Sequence, residues 1–213
     1  MKSALPVYLT GCLLFSFGAK CFIDSDMGTD PLDVLVLGIV KHTGLTIGIV
    51  SGLIAVFFLA VWSLWNRQRP PITPFVTMFL VGSLIDLWNY LRLESFLLPV
   101  FSSYALLGIG LVIAAFASSL IIMSGIGIRT MDLVAITMVH KWRTTFFTAK
   151  MSIEIAFIVS GYLLGGPVGI GSVAFVTLVG PGIIAFLWIN EKVIGMTNYG
   201  FLIGSEQATA KSG

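Results

Sequence analysis

The chain has 213 residues, 57% hydrophobic and 10% charged, with a net charge of +2 and a mean hydropathy of +1.00. Soluble domains carry about 25% charged residues, so this composition excludes a water-soluble globule. The bases are scattered singly, which excludes the clustered basic patch of a nucleic-acid binder.

The lipid bilayer is therefore the expected solvent, and the fold class is all-α: a polytopic transmembrane helical bundle. Runs of roughly 20 apolar residues cross the hydrocarbon at 1.5 Å per residue. Six such long helices are expected, at 4–22, 44–64, 73–90, 100–124, 144–164 and 170–190. In the first, Leu9-Thr10-Gly11-Cys12 has the look of a lipoprotein cleavage box. Only Ala4 to Tyr8 precede it as an apolar region, shorter than the usual 7–15 residues, and the run continues to Phe22, so a retained transmembrane helix is expected. Cys12 and Cys21 read as small buried hydrophobes.

Two shorter apolar pieces, 31–42 and 130–141, interrupt the long ones. At about 18 Å each they fall short of the roughly 30 Å hydrocarbon core. The first lies in MGTDPLDVLVLGIVKHTGLTIG, residues 27–48. Asp30 suits its N-cap, Pro31 its first turn, and Asp33 gives a capping-box-like spacing. Thr130 suits the N-cap of the second, with Asp132 in its first turn. Lys41-His42 and His140-Lys141 suit the negative ends of the helix dipoles, and Gly44 breaks the first piece. Both read as capped half-helices, entering the membrane as re-entrant segments or crossing it.

The two pieces align at a constant offset: Gly28 on Gly127, Asp33 on Asp132, Val40 on Val139, Thr46 on Thr145. A long helix, a loop, a short helix and two long helices follow one another twice. The expected organisation is one integral membrane domain, 1–213, with repeat halves 4–90 and 100–190 and a polar C-terminal tail at 200–213. With re-entrant pieces and the N-terminus inside, the halves are inverted; Lys2, Arg67, Arg69, Arg129, Lys141, Arg143, Lys192 and Lys211 are cytoplasmic, while Lys41 and Arg92 are outside, in accord with the positive-inside rule. With crossing pieces the halves are parallel and Arg67, Arg69 and Arg129 move outside, which still leaves a cytoplasmic excess.

Ionisable residues inside a membrane mark functional sites by default. Lys150 and Glu154 stand at i and i+4 in AKMSIEIAFIVSGYLLGG, on one helix face and within pairing reach. With Asp33 and Asp132 they form the expected substrate-binding set. Asp86 joins it, although Trp88 and Tyr90 beside it also fit an interfacial belt. His42 and His140 read as helix-end groups, and no Cys/His cluster has zinc spacing. No metal or cofactor is expected, and no nucleophile–base constellation points to an enzyme. Gly44, Gly48 and Gly52, and Gly161 with Gly165, form small-residue stripes for close helix packing. GGPVGIGS (165–172) follows no strand, so it is a tight turn rather than a phosphate loop.

GTDPLDVLVLGIVKHTGLTIG, LVGSLIDL, IRTMDLVAITM and AKMSIEIAFIVSGYLLGGPVGIGS together resemble the YczE/YitT group of bacterial integral membrane proteins, closest to its YczE side. The resemblance runs over roughly residues 10–190. It implies a multi-pass protein of the bacterial cytoplasmic (inner) membrane with an internally duplicated helical fold, and no defined activity. Three places depart from the group's pattern: Pro70-Pro71-Ile72-Thr73 stands for a Gly-x-Gly-Thr turn, Pro31-Leu32-Asp33 for a Pro-Trp-Asp-like piece, and Lys150 for an arginine. Lysine keeps the charge but not the bidentate fork.

Two functions follow. One is a small-solute transporter holding a zwitterion or a cation between the halves at Asp33, Asp132, Lys150 and Glu154. The other is an accessory protein whose glycine stripes and Trp-rich ends pack on a membrane-protein partner or a second copy.

Overall fold

The structure, a computed structural model, describes residues 4–198; the polar tail expected at 200–213 lies outside them. The chain is helical in the order α1 Ala4–Ser25, α2 Pro31–Thr43, α3 Ile47–Asn66, α4 Thr73–Tyr90, α5 Glu94–Leu97, α6 Ser103–Ser124, α7 Thr130–Trp142, α8 Phe146–Leu163, α9 Ile170–Ala174 and α10 Gly180–Lys192. A π-helical turn, Phe175–Val179, joins α9 to α10. Among the described residues, four stretches are long and apolar enough to cross a membrane: α1, α3, α6 and the continuous Ile170–Lys192.

The short pieces end as their residues dictate. Asp30 Oδ1 accepts from the Leu32 amide at 2.7 Å, closing the first turn of α2, and Pro31 follows it. Gly44 takes the left-handed conformation (φ 67°) and returns its amide to the Val40 carbonyl. In α7 the N-cap is Arg129, whose side chain makes no capping bond. Thr130, expected as the cap, is the first helical residue, and its buried hydroxyl has no partner. The shift follows from Arg129, whose guanidinium is drawn to two carboxylates rather than toward water.

Terminators recur at an offset of 99 residues. α1 and α6, each of 22 residues, start and stop in register, as do the starts of α2 and α7 and of α3 and α8. Ser25 and Ser124 each donate to a carbonyl three residues back and accept from an amide two residues on. Thr46 and Thr145 each cap the following helix. Gly44 and Arg143 are both left-handed.

Packing fixes directions. α1 runs antiparallel to α6: a Cβ on Gly11 would meet Ala117 and Ile121, and one on Gly18 would meet Gly110 and Ala114. α3 runs antiparallel to α4, with Gly48 on Ser83 and Gly52 on Phe79. Two apolar cores result. Val36, Val50, Ala55, Met78, Ile85, Ala135, Ala149 and Phe157 fill one, between α2, α3, α4, α7 and α8. Tyr8, Cys12, Phe15, Phe22, Ala114, Ala117, Phe175 and Ile183 fill the other, between α1, α6 and α10.

Candidate functional site

α2 and α7 begin together and end apart. At its far end, α2 brings His42 Nε2 to the Leu164 carbonyl at 3.0 Å, where α8 finishes. α7 instead brings Lys141 Nζ to the Trp65 carbonyl at 2.6 Å, with Trp142 against Trp65, where α3 finishes. Since α3 starts where α2 ends, the two 13-residue helices leave on opposite sides of the fold. Neither traverses the bundle. Their N-termini meet inside it, level with Glu154 midway along α8.

At that meeting point charges alternate. Arg129 Nη1 donates to Asp30 Oδ2 at 3.0 Å, and its Nε to Asp132 Oδ2 at 3.4 Å. Lys150 Nζ donates to Asp132 Oδ1 at 2.8 Å and lies 3.3 Å from Glu154 Oε1. The guanidinium carbon stands 5.3 Å from the Phe15 ring centroid, a cation–π contact. Phe15 belongs to one apolar core while Glu154 is flanked by Ile153 and Phe157 of the other, so the ionic cluster sits on their boundary. Asp33 lies beside Asp30 and Arg129, buried, with Oδ2 lacking a donor.

Four of the five expected site residues are thus brought together: Asp33, Asp132, Lys150 and Glu154. The fifth, Asp86, is engaged elsewhere. Its Oδ1 and Oδ2 accept from the Ile47 and Gly48 amides at 2.9 and 2.7 Å, capping the N-terminus of α3. Arg129, read from sequence as a cytoplasmic charge, is instead at the centre, its side chain only 12% exposed. The loop after α6 turns inward rather than out to water and carries Arg129 with it. The alignment of the short pieces already held the clue, because its register sets Arg129 opposite Asp30.

Sequence reasoning also missed a second ionic group. Lys20 and Asp24, both buried in α1, pair at 2.6 Å, and Lys20 lies 3.1 Å from Glu94 in α5. Their i, i+4 spacing straddles the end of the apolar run at Phe22. Close backbone packing holds the region around α2 together. Gly171 donates its amide to the Met27 carbonyl at 2.7 Å, and Gly166 lies against the Val34 carbonyl.

A model of a family of unknown function, DUF6198, matches residues 2–187. The chain belongs to that family. It is 28% identical to the uncharacterised protein YyaS of Bacillus subtilis, over 87% of this chain and 92% of YyaS. Identity is 27% to the uncharacterised membrane protein YczE of the same organism, over 81% of this chain and 80% of YczE. It is 25% to an uncharacterised protein of Haemophilus influenzae, over 89% and 85%. No solved structure matches. With a membrane protein among its relatives and several helices long and apolar enough to cross a bilayer, this is a multi-pass integral membrane protein.

Proposed function

We propose that the protein is a small-solute transporter of a bacterial inner membrane, built from two duplicated halves of opposite orientation, with its site where α2 and α7 meet. The carrying observation is the Asp30–Arg129–Asp132–Lys150–Glu154 chain at the joined N-termini of two half-helices. Interrupted helices in corresponding positions of two halves are how many transporters place a binding site at mid-membrane. The common offset of helix ends supports duplication, and the opposite exits of α2 and α7 support inversion.

Within the ionic chain, Asp30–Arg129 is the pair that joins the halves; the others lie within the second half. Rocking one half against the other would make and break that bond. A solute carrying a positive charge, alone or as part of a zwitterion, matches the excess of acids.

Thermal unfolding of the purified protein against a panel of amines, amino acids and betaines tests the reading. The expected result is stabilisation by one solute class, lost in Glu154→Gln, while the variant without solute stays folded. Stabilisation by none, with a stable protein partner co-purifying, would favour the accessory role instead.

A further inference from the structure

Three carboxylates of the central cluster have their donors. Asp30 receives the Leu32 amide and Arg129, Asp132 receives Arg129 and Lys150, and Glu154 pairs with Lys150. Asp33 does not. It is 6% exposed, and its Oδ2 is buried with no hydrogen-bond partner. The hydroxyls of Thr29 and Thr130, one at each half-helix start and both at 0% exposure, lack partners too.

The charged groups facing this place are Asp30 at the cap of α2, Arg129 and Asp132 from α7, and Lys150 and Glu154 from α8; α1 contributes only the Phe15 ring. Four carboxylates therefore stand against two bases. Each half-helix N-terminus adds roughly half a positive charge, which reduces the excess to about one negative charge. A bare carboxylate buried without a donor is costly and tends to be neutralised. A metal ion suits the place poorly: among the described residues no three carboxylate, imidazole or thiol groups stand close enough together to hold one. A proton needs no coordination shell.

We propose that the junction binds one exchangeable proton, carried on Asp33 Oδ2, as the coupling ion of the transporter; the coupling role rests on the transport reading above, the proton site on the geometry alone. Uptake forms one O–H bond at Asp33 and breaks one in hydronium, and release reverses both. Protonation removes a negative charge beside Asp30 and Arg129, which ties the occupancy of the site to the bond between the halves.

Infrared spectroscopy of the purified full-length protein, titrated with acid and base in light and heavy water, reads the proton directly. The expected result is a buried carboxylic-acid carbonyl band that shifts on deuteration and fades at high pH, absent from Asp33→Asn and retained in Glu154→Gln. An acid band unchanged in Asp33→Asn, or none in the wild type, overturns the proposal. Should Asp33→Asn fail to fold, wild type grown on isotope-labelled aspartate serves: an acid band insensitive to the label overturns it equally. A melting temperature raised by sodium but not choline chloride, with the rise lost in Asp33→Asn, would mean an alkali cation in place of the proton and also overturns it. Solute stabilisation without the Asp33 band removes the proton and keeps transport. The band without any effective solute removes transport and keeps the proton site.

Discussion

Asp30 and Arg129 are the N-cap residues of two 13-residue helices that leave on opposite sides of the fold, and they bond to each other at 3.0 Å. Two N-cap positions 99 residues apart thus carry opposite charges, and the pair closes the seam between the apolar cores. Neither charge has an alternative in water.

Removing one partner of such a pair leaves the other charge buried and unpaired, which costs about 3–5 kcal/mol. Arg129→Gln is expected to lower the melting temperature strongly, since Asp30 and Asp132 each lose the guanidinium that neutralises them, Asp30 keeping only the Leu32 amide and Asp132 only Lys150. Adding Asp30→Asn in the same chain should recover part of the loss. Thermal unfolding of the two single variants and the double one measures this. Equal melting of Arg129→Gln and wild type would show that the pair contributes nothing.

Gly161 and Gly108 are both helical glycines, in α8 and α6, in different surroundings. A Cβ on Gly161 would stand 2.6 Å from the Leu35 nitrogen of α2, while one on Gly108 meets nothing within 4 Å. Gly161→Ala must push α2 away from α8, an overpacking cost of about 1–3 kcal/mol. Gly108→Ala should change stability by no more than about 0.5 kcal/mol. Comparing the two melting curves checks whether α2 is held by backbone contact.

Asp86 holds the start of α3, away from the central ionic chain. Asp86→Ala frees the Ile47 and Gly48 amides and should cost about 1–2 kcal/mol, as lost caps do. Any solute that stabilises the wild type should stabilise this variant to the same extent. A lost solute response with unchanged melting would move Asp86 into the binding site.

Glu94 lies outside the membrane-crossing helices, and its own backbone amide, then the Lys20 ammonium, hold its carboxyl below the usual glutamate range. A carboxyl depressed in the folded state stabilises the protein above its ordinary pKa. That contribution fades as pH falls through the lowered value. Melting temperature should therefore decline on the acid side more steeply in the wild type than in Glu94→Gln. Parallel acid limbs would show the Lys20 contact to be idle.

Much of this was legible in the sequence because it is written locally. Hydropathy marks the long helices, and the Asp30 cap, the Gly44 stop and the closing Lys-His pairs bound α2 and α7. The spacing of Lys150 and Glu154 announces their contact, found at 3.3 Å. Such features depend on residues within a turn or two of one another, where backbone geometry leaves few options.

Only the tertiary structure decided where those local pieces point. Whether a capped 13-residue helix crosses, re-enters or lies flat depends on distant partners: Gly161 under Val34, Leu164 beyond His42, and Trp65 beyond Lys141. The same holds for the charges. Arg129 reads as a surface base until Asp30, on the other half-helix, comes within 3.0 Å, and Asp86 reads as a site residue until the start of α3 claims both its oxygens. In lipid each ionic group must find its partner inside the protein, and which partner it finds is a property of the whole packing rather than of its neighbours in the chain.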